Sequence, residues 1–255
     1  MARVRIIPAL LIQNGGLVKS IRFKDHKYVG DPINAVKIFN EKEVDEIVIL
    51  DISATAEKRP PDIGRIREIA SEAFMPLGYG GGITRLDEIR ELITTGVEKV
   101  ILNTSAFQTP GLIEQGARYV GSQSIVVSID VKKNLWGKYK VHVQNGTRNT
   151  GADPVEYAKQ MENAGAGEIL LNSIDKDGTF GGYDTELIKA VSENVDIPVV
   201  AIGGAASTDD FLDAVHAGAS AVSAGSLFVF QRPHRAVLIS YPSQSELKKK
   251  VFEKI

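Results

Sequence analysis

Cysteine is missing from all 255 residues, and with it go disulfides, thiolate metal sites and a thiol nucleophile. Excess charge of either sign is missing too. Thirty Lys and Arg stand against 32 Asp and Glu along the chain, which leaves no electrostatic footprint for nucleic acid or an anionic membrane. No apolar run is long enough to span a bilayer, and no charged-then-apolar leader opens the sequence. The four histidines lack metal-ligand spacing, so neither a metal nor another cofactor is expected. These absences point to a cytoplasmic, soluble protein with a small diffusible partner.

Apolar residues make up 43% of the chain, enough for one large α/β core or two small ones. Short β-rich runs recur: VRIIPALLI, EIVILDI, PLGYGG, KVILNTS, SIVVSID, EILLNSID, PVVAIGG and AVSAGSLF. Several are apolar at nearly every position, as parallel strands buried on both faces are. Helical spacing lies between them, with capping-box patterns at Thr84–Asp87, Ser207–Asp210 and Ser243–Glu246. Asp153-Pro154 and Thr109-Pro110 place a cap before a first-turn proline, and Gly96, Gly165 and Gly218 follow helical runs as C-caps.

Eight strands alternating with eight helices in this length predict a single (β/α)8 TIM barrel over residues 1–255, with a doubly wound open sheet as the alternative. An internal repeat favours the barrel. PALLI matches VVSID, ILDIS matches LLNSI, GGGIT matches GGAAS and ILNTSAF matches SAGSLF, as two half-barrels of roughly 1–120 and 121–255 require. Residues 131–150 alternate apolar and polar positions around Asn145-Gly146 and predict a hairpin over the mouth. Residues 231–242 interrupt the repeat without an evident role.

In such a barrel the reactive groups sit where strands end. Gly80-Gly81-Gly82 and Asn103-Thr104 end strands three and four; Gly203-Gly204 and Gly225-Ser226 are their counterparts on strands seven and eight, with Asp177-Gly178 after strand six. Glycine lets backbone N–H groups approach a phosphate. One such cluster is an ordinary tight turn, but two at equivalent repeat positions imply a long ligand with a phosphate at each end. Asp130, ending strand five, is either a proton-transfer group or a loop-tethering carboxylate, and Asp51, Asp175 and Asp177 are weaker candidates. Lys19 to Asp31 is too long for a simple turn and suggests a mobile, basic loop able to close over an anion. Trp136 could stack on a ligand or anchor its hairpin. At the opposite end, Arg5, Glu46, Lys99 and Glu168 stand before the apolar bodies of strands one, two, four and six, and would converge as an ion-pair ring.

Together, GDP at 30–32, LDIS at 50–53, GGGI at 80–83, IVVSID at 125–130, GAGEILLNSIDKDGT at 165–179 and GGA at 203–205 resemble the cyclase subunit of imidazole glycerol phosphate synthase, over residues 1 to about 230. The resemblance implies a glutaminase docked at the N-terminal face, which releases ammonia through a charged gate formed by Arg5, Glu46, Lys99 and Glu168. It implies phosphate binding by Gly82, Asn103, Thr104, Asp177, Gly178, Gly204, Gly225 and Ser226, closure by Lys19, and catalysis by Asp130. The family's second catalytic carboxylate belongs at the end of strand one, where this chain has Leu11. Ile202 also replaces a usual serine, and the 231–242 segment is foreign to the usual C-terminus.

These departures favour the type of relative similar to proteins encoded with surface-polysaccharide (O-antigen) genes. Such a protein would conduct ammonia to an ATP-dependent synthetase-like partner that turns an acetamido sugar into an acetamidino sugar. The alternatives are a histidine-pathway cyclase in which Asp130 works with Asp51 or Asp175, a related phosphosugar isomerase, and a purely structural activator of a glutaminase.

Overall fold

The computed structural model describes residues 3–255, so the first two residues of the expected 1–255 domain lie outside the described residues. Eight parallel strands close on themselves: β1 (Arg5–Gln13), β4 (Ile47–Asp51), β5 (Leu77–Gly80), β6 (Lys99–Leu102), β7 (Ile125–Lys133), β10 (Glu168–Ser173), β11 (Val199–Ile202) and β12 (Ala221–Ala224). Each pairs with the next, and the ring is sealed where β12 lies beside β1, with Arg5 opposite Ala221 and Pro8 opposite Ala224. This is a (β/α)8 barrel.

Among the described residues the α-helices are α1 (Pro32–Glu41), α2 (Ile63–Glu72), α3 (Leu86–Thr94), α4 (Thr104–Gln108), α5 (Gly111–Val120), α6 (Pro154–Asn163), α7 (Thr185–Ser192), α8 (Thr208–His216), α9 (Ser226–Val229) and α10 (Gln244–Lys250). Their apolar faces bury Phe39, Ile69, Leu92, Phe211 and Phe228 against the outside of the sheet. A smaller cluster, Ile7, Val48, Ile101, Val126, Leu170, Val200 and Ala221, fills the inside. Strands buried on both faces must be apolar at successive positions, which is why their runs do not alternate.

Several local expectations shift. Asp153 and Ser207 cap α6 and α8, and Ser243 caps α10, as their sequences predict. The box expected at Thr84–Asp87 falls one residue later, on Arg85 and Glu88, because the buried Glu88 carboxylate accepts from the N–H groups of both Thr84 and Arg85. Likewise Pro110, not Thr109, is the cap position of α5, and it makes no side-chain cap bond.

The Lys19–Asp31 segment belongs to an ordered sheet extension. β2 (Gly16–Ile21) and β3 (Lys24–Gly30) form an antiparallel hairpin that pairs back onto β1. Asn14-Gly15 and Arg22-Phe23 make its two-residue turns, with φ of 51° and 78° in the first and 53° and 63° in the second. Positive φ at both positions is what a type I′ hairpin turn demands. The 131–150 segment gains an extra strand: β7 pairs with β8 (Tyr139–Val143), and β8 pairs with β9 (Arg148–Asn149) across the Asn145-Gly146 turn. Residues 230–237 form a further small hairpin, β13 (Phe230–Gln231) and β14 (Ala236–Val237). Among the described residues, no helix is long and apolar enough to cross a membrane.

Candidate active site

Parallel strands in a barrel all end on one face, so the residues that terminate them must share one mouth. A cavity of about 750 Å³ occupies it, and all eight expected phosphate-binding residues line it: Gly82, Asn103 and Thr104 on one side, Asp177, Gly178, Gly204, Gly225 and Ser226 on the other. Gly82, Gly178 and Gly204 have φ of 73°, 66° and 110°, so the turns they make are open to glycine and strained for other residues. A methyl on Gly204 would run into the Gly182 carbonyl, and one on Gly178 into the Ser20 carbonyl. The backbone is therefore packed as closely as glycine allows.

Asp130 and Lys19 also line this cavity, from β7 and β2. Asp130 is 8% exposed, and burial, with the nearby Asp177 charge, pushes its carboxyl up to about 7. Hydrogen bonding from Asn172 and Ser128 opposes that rise. The Asn103 amide donates to Asp130 at 3.2 Å and to the Ser128 carbonyl at 3.0 Å, which holds both the strand end and the carboxylate in place. Lys19 sits in a regular strand rather than on a mobile loop. It is buried and donates to the Ala9 carbonyl, and burial lowers its ammonium to about 8 although Asp177 works the other way. Asp177 is itself raised by burial, opposed by the Ser20 hydroxyl at 3.0 Å and by Lys19. A carboxyl raised and an ammonium lowered by burial both move toward neutrality, where proton transfer is useful.

The other aspartates are less free. Asp51 accepts from Ser53 N, Ser53 Oγ, Ala54 N and Arg59 Nη2 at 2.9–3.3 Å, so it fastens a turn. Asp175 accepts from Lys133 N at 2.9 Å and does not line the cavity. Leu11 does line it, half-buried, alongside Ala9, Leu50 and Ile202. One wall of the mouth is thus hydrocarbon.

Asn172 has no counterpart among the residues expected from sequence. It is 7% exposed, lies opposite Asp130 in the β7–β10 register and lines the cavity. Its Oδ1 has no hydrogen-bond partner among the described residues. An unpartnered acceptor beside a carboxylate is costly unless a ligand satisfies it. Its place in EILLNSID, two residues beyond an inward-facing leucine on the same strand, was the available signal. From the hairpin, Asn145 donates to the Ile52 carbonyl and Gln144 N donates to Thr104 Oγ1 at 3.0 Å, so the Asn145-Gly146 turn spans part of the mouth. Trp136 takes neither expected role: it stands 82% exposed at the β7–β8 tip, beside Leu135 at 98%.

Arg5, Glu46, Lys99 and Glu168 meet at the other end of the barrel. Arg5 bonds both Glu46 and Glu168, and Lys99 reaches the same two carboxylates at 2.9 and 3.0 Å. Burial alone would lower the Arg5 guanidinium, but Glu168 and Glu46 outweigh it and raise it. Charges alternate around the ring, so each carboxylate is held by two cations. Between ring and mouth lie the apolar residues of the interior cluster.

A family model described as "Histidine biosynthesis protein" matches residues 5–233. A Pseudomonas aeruginosa protein provisionally named imidazole glycerol phosphate synthase subunit hisF2 is 51% identical over 248 residues, covering 97% of this chain and 99% of that protein. A similarly named subunit HisF of Leptospira interrogans is 48% identical over 96% of this chain and 98% of its own length. The imidazole glycerol phosphate synthase subunit HisF of Alkaliphilus metalliredigens is 44% identical over 89% of this chain and 91% of its own.

Proposed function

Because the chain belongs to the histidine biosynthesis protein family, as a cyclase-type subunit like imidazole glycerol phosphate synthase subunit HisF, we propose that it conducts ammonia to an acceptor other than the family's usual one. A glutaminase docked on the N-terminal face supplies the ammonia, and the Arg5–Glu46–Lys99–Glu168 ring is its gate. An ATP-dependent synthetase-like protein at the mouth activates an acetamido sugar, which ammonia converts to an acetamidino sugar for surface polysaccharide.

The observation that carries this reading is Leu11. Cyclisation needs proton transfers at both ends of the reacting unit, and across the mouth from Asp130 the chain offers an isobutyl group and Ile202. Neither Asp51, tied to four donors, nor Asp175, outside the cavity, is placed to substitute. The features that handle ammonia are retained: a ring of opposed charges, then an apolar interior through which a neutral molecule passes more readily than an ion.

The histidine-pathway cyclase is the second reading, supported by the buried Asp130, whose carboxyl is pushed up to about 7, and by the residues read as two phosphate cradles, which line the same cavity. A cyclase assay separates the two. The purified chain is given the phosphoribulosyl aminoimidazole-carboxamide substrate and saturating ammonium at alkaline pH, and substrate loss is followed. No turnover, with substrate binding confirmed separately, is the expected result; robust turnover would overturn ammonia delivery elsewhere. Recovery of cyclisation in Leu11→Asp would show that the rest of the mouth is still competent.

A further inference from the structure

The hairpin at 230–237 lies outside the repeat, and the family match ends inside it, at residue 233. Its two arginines do not line the cavity, yet they grip the loops that do. Arg235 donates from Nη1 to the Gly178 carbonyl at 3.1 Å, and its guanidinium lies 5.2 Å from the Phe180 ring centroid and 4.9 Å from that of Phe230. Arg232 donates from Nη2 to the Ala206 carbonyl at 3.1 Å and lies 5.3 Å from the same Phe180 ring. Lys27 of the β2–β3 hairpin donates to the Arg235 carbonyl at 3.4 Å. The 230–237 hairpin is thereby joined to three segments around one side of the mouth through three side chains.

We propose that Arg232 and Arg235 are positioning residues that preform the Gly178/Gly204 anion cradle. The proposal rests on the phosphate-binding reading of those loops and extends it to a segment with no previous role. Gly178 and Gly204 hold positive φ values and carry no side chains to anchor them, so their N–H groups converge on an anion only if something outside the loop fixes it. Arg235 fixes the first loop through its carbonyl and through Phe180, which is itself held at φ +57°. Arg232 fixes the second where it runs into α8. A planar guanidinium can stack flat on a ring while its in-plane N–H fork holds a carbonyl, a fixed geometry that the point charge of a lysine ammonium does not reproduce. A preformed cradle binds more tightly because ordering is not charged to the ligand.

The test titrates inorganic phosphate into 15N-labelled protein and follows the Gly178, Gly204 and Gly225 amides separately from those of Gly82, Asn103 and Thr104. In Arg232→Ala/Arg235→Ala, affinity at the first set is expected to fall about tenfold, with the second set unchanged. The second set also reports that the barrel is folded. Arg235→Lys keeps the charge and is expected to remain weakened. Equal affinity in the double variant, an equal loss at both sets, or full recovery with lysine would overturn the positioning role. If the first set fails to respond even in the unsubstituted protein, the phosphate reading of those loops fails with it.

Discussion

Replacing Asp130 by asparagine should make the protein more stable, and only at higher pH. The folded protein holds the Asp130 carboxyl near 7, above the 3.8 of an exposed aspartate, chiefly because the group is buried and faces Asp177. In the unfolded chain it ionises near 4. Between these values the folded state binds the extra proton, so stability falls as pH rises from about 4 to about 7 and is flat above. At 1.4 kcal/mol per tenfold, the ionised carboxylate costs at most about 4 kcal/mol at pH 8. Reorganisation and water entry at an open mouth bring the expected figure to about 2–4 kcal/mol. Urea unfolding of the wild type and Asp130→Asn at pH 4, 6 and 8 reads this directly: similar stabilities at pH 4, diverging in favour of asparagine by pH 8. A difference that stays constant with pH, or that favours aspartate at pH 8, would refute the assignment of Asp130 as a desolvated group. The same carboxyl 13C resonance should titrate near 7.

Three further outcomes follow from the geometry. Arg5→Ala leaves Glu46 and Glu168 with Lys99 alone and is expected to cost about 2 kcal/mol, less than a fully buried pair because Arg5 is 28% exposed; equilibrium unfolding measures it. Gly204→Ala forces a methyl into the Gly182 carbonyl at a φ that non-glycine residues avoid, for a loss of about 3 kcal/mol or more, while Gly225→Ala, at φ −106°, meets the end of Lys19 at 2.6 Å and the Ala9 carbonyl at 3.3 Å. The latter should fold normally and lose phosphate affinity. Trp136→Ser should change stability by less than about 0.5 kcal/mol, since the ring touches no core.

How much of this the sequence carried differs from element to element. The eight strands were legible because burial on both faces leaves an unmistakable apolar run, and the mouth residues followed because parallel strands end together. The β2–β3 hairpin was not. Its strands carry Lys19, Lys24, Asp25, His26 and Lys27, which mask alternation, and its far turn is built from Arg22-Phe23, residues that do not advertise positive φ. The near turn, Asn14-Gly15, did carry that signal. Asn172 was hidden for another reason: it is polar at a site defined only by its neighbour Asp130 on the adjacent strand. The 230–237 hairpin acts through Phe180 and two backbone carbonyls, and no pattern in a linear sequence encodes such partners.

The seam between β1 and β12 has a consequence for synthesis. Arg5 leaves the ribosome long before its partner Ala221, and Tyr241, whose hydroxyl bonds the Ile6 carbonyl, follows later still. At about 5–20 residues per second, β1 waits roughly 10–40 s with one apolar edge unpaired. For that interval the first strand is a nascent chain's sticky end, and any chaperone that attends this protein has its natural client in RIIPALLIQ.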